Sequence, residues 1–375
     1  MIRVGINASR NRAGGARHHL MNLLNAMEPE SLGISEVHLW SFPELLDQLP
    51  KSKWLVKHSP NQLEKSLLSQ LLWEYRSFPE ELVRARCDVL LNTDAGSVCP
   101  FKPAVTMSRD MLSFEPKEMQ RYGITLNRLR LFVLKYVQSR SMSKSTGVIF
   151  LSEYAARVIQ SRIGVLDNYR IIPHGIREEF FINLSPKPIL EKSSEIKCIY
   201  VSNAMPYKHQ WNVVEAIHAL RKQGMNISLM LVGGGTGRAQ ERVRCAIQKA
   251  DPEGAFVKQL GFLNHAKILE FISKSDIFVF ASSCENLPNT LIEAMATGIP
   301  IASSSAGPMP EILKDGGVYF DPEKPSEIVT ALETLILDSR LRIKIAKRAV
   351  ELARQFSWRT CAIDTFSYLN EVASQ

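Results

Sequence analysis

The sequence lacks most of the features that would place it at a glance. No stretch approaches the ~18 uninterrupted apolar residues of a membrane span, which argues against a membrane-spanning helix. The first residues, MIRVGINASR, contain no apolar signal core, so the chain is expected in the cytoplasm. Six cysteines (Cys87, Cys99, Cys198, Cys245, Cys284 and Cys361) are scattered without a C-x-x-C pair, which argues against a zinc or disulfide framework. Four of them lie in or beside apolar runs and read as packing thiols. No G-x-G-x-x-G or Walker glycine-lysine pattern follows a strand, which removes the main support for a dinucleotide or P-loop site. There is no repeat of 20–50 residues and no low-complexity tract.

At 375 residues the chain is long for one core and suited to two domains. Apolar residues make up 45% and charged residues 22%, the balance of a globular protein. A formal net charge of +8 favours anionic partners without choosing among phosphates, nucleic acid and an anionic membrane.

Short apolar runs alternate with helical patterns. The first set is IRVGIN (2–7), VHLWSF (37–42), CDVLLN (87–92), PAVTMS (103–108), GVIFLS (147–152) and YRIIPH (169–174). A Pro-, Ser- and Lys-rich stretch at 181–197 reads as a linker. A second set follows: IKCIYVS (196–202), ISLMLVGG (227–234), AFVKQLG (255–261), DIFVFASS (276–283), IPIASS (299–304) and GVYF (317–320). Near-continuous apolar strands between helices imply parallel sheets covered on both faces. The expected class is α/β: two doubly wound domains facing a cleft, one over 1–185 and one over 186–356.

Ligands of open α/β sheets bind beyond the carboxyl ends of the strands. After the first strand, Gly14 and Gly15 precede a helix whose N-terminus suits an anion. Gly233, Gly234, Gly235 and Gly237 form a second glycine-rich turn, and a tight turn is an equal reading of it. Lys208 stands at a helix start, where it opposes the dipole unless a phosphate is present. In SSCENLPNTLIEAMATGIPIASSSAG, Glu285 and Glu293 flank a helix start. Thr290-x-x-Glu293 fits a capping box, which gives Glu293 a structural reading. Glu285 has none. A diphosphate at that helix start, with a carboxylate for sugar hydroxyls on each side, would account for both.

With these residues in view, the chain resembles the retaining glycosyltransferases of the GT-B fold, specifically glycosyltransferase family 4. The resemblance rests on Glu285-x7-Glu293 in ENLPNTLIEAMATGIP. YVSNAMPYKH, LMLVGGGTG, QLGFLNHAKILEFISKSDIFVFAS and IIPHGI support it, as does FSWRTCAIDTFSYLNEV, the family's C-terminal helix (357–375) that packs back on the first domain. It implies that Gly15 approaches the donor diphosphate and Lys208 neutralises it. Glu285 would then lie against the transferred sugar and Glu293 against the ribose, with the amides of Asn289, Thr290 and Leu291 at the phosphate. Gly234, Leu263, Asn286 and Leu287 complete the implied donor site. The donor is a UDP- or GDP-hexose, no cofactor or metal is implied, and no D-x-D of the metal-dependent GT-A enzymes occurs. Where the family often has an arginine, this chain has Asn203, so that share of the charge comes either from Arg238 or from no side chain. Where the family often has His-Asp, it has Arg109-Asp110, which puts Arg109 against an anionic acceptor phosphate.

The function implied is hexose transfer to a glycan or lipid-linked acceptor in surface polysaccharide synthesis (O-antigen, capsule or similar), with contact to the inner-membrane surface and no nucleic acid. Two basic-apolar stretches bear on the membrane: KSKWLVKH (51–58) and NRLRLFVLKYVQSR (127–140). The second is expected to be a packed helix with Leu129, Phe132, Val133 and Tyr136 facing the core. A nucleotide-sugar epimerase and a basic, non-enzymatic nucleic-acid-binding protein are the alternatives. Neither finds a motif of its own, and the basic residues are dispersed.

Overall fold

A computed structural model describes residues 1–12, 14–185 and 194–375. The chain divides into two compact units. The first comprises Met1–Phe114, Ile124–Gly175 and Phe356–Gln375, and the second Glu115–Gly123 and Ile176–Gln355. The stretch 186–193, the middle of the expected linker and the site of the expected domain boundary, lies outside the described residues.

The first unit holds β1 (Ile2–Asn7), β2 (Ile34–Trp40), β3 (Leu55–His58), β4 (Val89–Asn92), β5 (Ala104–Met107), β6 (Gly147–Phe150) and β7 (Tyr169–Ile171). They form one sheet in the order β3-β2-β1-β4-β5-β6-β7, every pair parallel. The second unit holds β8 (Ile196–Val201), β9 (Ile227–Val232), β10 (Val257–Leu260), β11 (Ile277–Phe280), β12 (Ile301–Ser304) and β13 (Val318–Phe320). Their order is β10-β9-β8-β11-β12-β13, again all parallel. Inner strands such as β4 and β11 are buried at every residue, the consequence of helices on both faces. These are two Rossmann-like sheets, the GT-B fold. Strand order reverses between β1 and β4 in one sheet and between β8 and β11 in the other.

The last four residues of KSKWLVKH form β3, the edge strand hydrogen-bonded alongside β2. Below this edge the helix Leu67–Arg84 packs Trp73 and Phe78 against Trp40. Both indole N–H groups donate to Glu81, at 2.7 and 2.8 Å, so neither tryptophan carries an unpaired polar atom inward. The C-terminal helix Trp358–Ala373 belongs to the first unit, where Tyr368 donates to Asn168 (2.8 Å) and Asn370 to the Leu32 carbonyl (2.9 Å).

The helix Leu126–Lys144 corrects the expectation made for it. Its buried residues are Leu131, Gln138 and Met142. Leu129, Phe132, Val133 and Tyr136 are 60%, 51%, 58% and 68% exposed and face solvent, not the core. Both faces of this helix carry apolar residues, so periodicity did not distinguish them. The inward face also carries a polar contact, Ser113 Oγ donating to Gln138 at 2.6 Å. A second difference concerns 115–123. This segment of the first half groups with the second unit, where Arg121 pairs with Glu118 (2.7 Å) and Glu323 (2.8 Å), and Lys117 pairs with Glu323 at 2.5 Å.

Candidate active site

In the second unit the loops leaving β8 and β11 meet where strand order reverses. The β8 loop is held at several points. Tyr200 donates to the Lys208 carbonyl (2.8 Å), and the Ser283 amide donates to the Tyr207 carbonyl (2.8 Å). His209 Nε2 lies 2.9 Å from Ser283 Oγ. His209 is buried, caps the helix Gln210–Lys222 at a left-handed φ of 47°, and has its pKa lowered to about 4, first by burial and then by Arg121. It is therefore a neutral strut at neutral pH.

These ties bring Lys208 Nζ onto the carboxylate of Glu285, residues 77 apart in sequence. Both side chains are largely sheltered. The ammonium also stands 5.4 Å from the Tyr207 ring centre and 5.6 Å from that of Phe280. An ammonium held by one carboxylate near a helix start can change partners when a stronger anion arrives.

Glu293 is not a capping-box residue. The helix Asn289–Thr297 has Pro288 at its N-cap and no side-chain cap, because Thr290 already lies inside the first turn. The Glu293 carboxylate stands 3.8 Å from His265 Nε2. Burial raises its pKa to about 7, against the pull of Arg177. The Asn289 and Leu291 amides turn inward, to the Leu287 and Pro288 carbonyls at 3.0 Å each. Of the three amides at this helix start, that of Thr290 has no backbone partner among the described residues. Asn286 and Leu287 are buried between the two glutamates.

The turn after β9 approaches the same loop. A side chain on Gly233 (φ 109°) would collide with the Ser202 carbonyl, and one on Gly235 would meet the Ala204 carbonyl at 2.9 Å. Nothing lies within 4 Å of the corresponding point on Gly234, which leaves its backbone open to a visitor. Leu263 is half-buried in the loop after β10.

The first unit carries the remaining predicted residues. Gly15 opens the helix Gly15–Asn25 behind Gly14 (φ 65°). Arg109 and Asp110 follow β5. Burial lowers the Arg109 pKa to about 10, with Asp94 opposing, and one of its terminal nitrogens has no partner among the described residues. Burial raises the pKa of Asp110, whose carboxylate accepts the Leu112 amide at 3.0 Å.

Sequence reasoning missed two residues here. His19 is buried, stacks on His174 with ring centres 4.3 Å apart, and has its pKa driven down by burial, then by His174 and Arg109. Glu74 is 2% exposed and fills the β1/β4 reversal. It accepts Asn7 Nδ2 (2.7 Å), Ser97 Oγ (2.7 Å) and Arg10 (3.0 Å). Its signal was spacing: Glu74, Phe78 and Leu82 form one inward row of a helix.

Residues 182–352 match the sequence profile of a family described as "Glycosyl transferases group 1", somewhat less than half of the chain. The O-antigen chain mannosyltransferase B of Escherichia coli is 23% identical across 70% of this chain and 69% of its own length. Among solved structures, sucrose-phosphate synthase from Thermosynechococcus elongatus superposes with a TM-score of 0.75 at 16% identity, covering 97% of each chain. HepE of Anabaena in complex with UDP-glucose superposes with a TM-score of 0.73 at 18% identity, covering 100% of each. At these identities the structures establish the fold.

Proposed function

We propose, from the match of residues 182–352 to the group 1 glycosyltransferase profile, that the chain moves a hexose from a nucleotide-diphosphate sugar to a glycan or lipid-linked acceptor. The observation that carries this reading is the sheltered Lys208–Glu285 pair at the β8/β11 reversal.

An incoming diphosphate offers Lys208 more negative charge than one carboxylate does. The ammonium turns to the phosphate, and Glu285 is released to accept hydroxyls of the sugar. The Thr290 amide and the first turn behind it add dipole stabilisation. Glu293, once ionised, accepts the ribose hydroxyls. During transfer the bond from the anomeric carbon to the phosphate oxygen breaks and the bond to the acceptor oxygen forms. The departing phosphate gains charge, and Lys208 stabilises it most at that moment. The same phosphate takes the proton of the acceptor hydroxyl on the face it leaves, so the anomeric configuration is retained. In the other unit, Arg109 with its unpaired nitrogen suits an anionic group on the acceptor.

Charge neutralisation by Lys208 makes the reaction independent of a divalent metal. The relatives point to surface polysaccharide: one is named for O-antigen mannosyl transfer and another for amylovoran biosynthesis. A HepE complex contains UDP-glucose, which supports a UDP-hexose as the first donor to try, with GDP-hexoses second. The test is mass-spectrometric detection of transfer or hydrolysis across a panel of UDP- and GDP-hexoses, with and without EDTA. Turnover that EDTA abolishes and Mn²⁺ restores would discard this site. Interconversion of the sugars without release of nucleotide would make the protein an epimerase.

A further inference from the structure

The helix Leu126–Lys144 presents a face that its own unit does not use. Leu129, Phe132, Val133 and Tyr136 recur on its outer side, and Ile124 and Leu126 extend the stripe at its N-terminal end, all of them exposed. The five charged residues of the helix are Arg128, Arg130, Lys135, Arg140 and Lys144; it contains no acid. At 100° per residue, Arg130 borders the stripe on one side, while Arg128 and Lys135 border it on the other. Arg140 and Lys144 close its C-terminal end. The Arg128 guanidinium lies 5.8 Å from the centre of the Phe132 ring, alongside the stripe.

We propose that this face lies flat on an anionic lipid bilayer, with the apolar side chains at the headgroup–acyl boundary and the five cations among the headgroups. Charge complementarity selects this occupant. A protein partner or a second copy would more commonly leave both signs at the rim, and an apolar stripe bordered only by cations on long aliphatic stems fits a surface of uniform negative charge. The helix Leu67–Arg84 provides the contrast. It also exposes apolar residues (Leu68, Leu72, Tyr75 and Val83), but Glu80 sits among them and pairs with Arg84 at 3.1 Å. Among the described residues no helix is long and apolar enough to cross a membrane, so the contact is one of lying on the surface. It would hold the enzyme where a lipid-linked acceptor is found.

The test is co-sedimentation of the full chain with vesicles of phosphatidylcholine alone or mixed with phosphatidylglycerol. Binding is expected to the mixed vesicles only, and to weaken as salt is raised. The double variant Phe132→Ser/Tyr136→Ser removes apolar area from an exposed face, and Arg130→Glu/Arg140→Glu reverses two cations. Each should weaken partitioning by about tenfold or more while circular dichroism stays that of the wild type. Wild-type protein that ignores anionic vesicles, or variants that bind as the wild type does, would overturn the proposal. So would a wild-type dimer in sedimentation velocity that Phe132→Ser/Tyr136→Ser makes monomeric, since a second copy would then cover the stripe. No sugar donor is needed in these measurements, so their failure and that of the transfer reaction are read separately.

Discussion

The two strand-order reversals are built alike and filled differently. At β1/β4 the buried Glu74 is satisfied on all sides by Asn7, Ser97 and Arg10. Both carboxylate oxygens are taken, although the Nε of Arg10 finds no partner among the described residues. At β8/β11 the corresponding place holds one ion pair, Lys208–Glu285, whose members can each take a better partner. Equal topology therefore does not mean equal contents. The first arrangement ties several strands and loops together; under the proposed function, the second is the pair that a diphosphate would separate.

Four measurements probe this contrast. Glu74→Ala removes the acceptor of the buried Asn7 and Ser97 and of the part-buried Arg10, so it should lower stability by about 3–5 kcal/mol, read by chemical denaturation. A near-neutral result would mean that the first reversal is not a structural network. Lys208→Ala should leave the melting temperature within a few degrees of the wild type and cost about 2–4 kcal/mol in kcat/KM for the donor. Wild-type kinetics would remove Lys208 from the donor site. Glu285→Gln should lower kcat by at least about tenfold, or roughly 1.4 kcal/mol. Because Lys208 then loses its resident carboxylate, calorimetry should find nucleotide diphosphate bound as tightly as before or more tightly. An unchanged kcat would end the two-glutamate reading.

The smallest effect is expected from Glu293→Gln. Burial lifts the Glu293 pKa to about 7 from a reference of 4.5. Between those values the folded state binds more protons than the unfolded one, so this residue makes stability fall as pH rises from 4.5 to 7. The variant should match the wild type at pH 4 and exceed it at pH 8 by on the order of 1–2 kcal/mol. If Glu293 meets ribose, the same change raises KM for the donor.

The sequence made some of this legible and hid the rest for physical reasons. Strands buried on both faces are continuous apolar runs, so β1 and β11 were plain. The edge strand β3 is half-exposed and carries Lys57 and His58, so it looked like a basic surface segment. The Glu285-x7-Glu293 spacing pointed to the second reversal, because loop and helix start are local in sequence. Glu74 was hidden because its partners Asn7 and Ser97 come from other parts of the chain. Leu129, Phe132, Val133 and Tyr136 were assigned to the core on their apolar character. The inward face holds Leu131, Gln138 and Met142, and the contact of Gln138 with Ser113 is one that no apolar count could find.

The chain passes between its two units four times, at 114/115, 123/124, 175/176 and 355/356. The second unit is thus not a single cassette. A chimaera that transplants only 176–355 into a relative would bring Glu323 without Lys117 and Arg121, the two cations that hold it. A carboxylate that lives between two bases would arrive with neither. Exchanging the second unit whole between relatives therefore requires two inserts, and the nine residues from Glu115 to Gly123 must travel with the larger one.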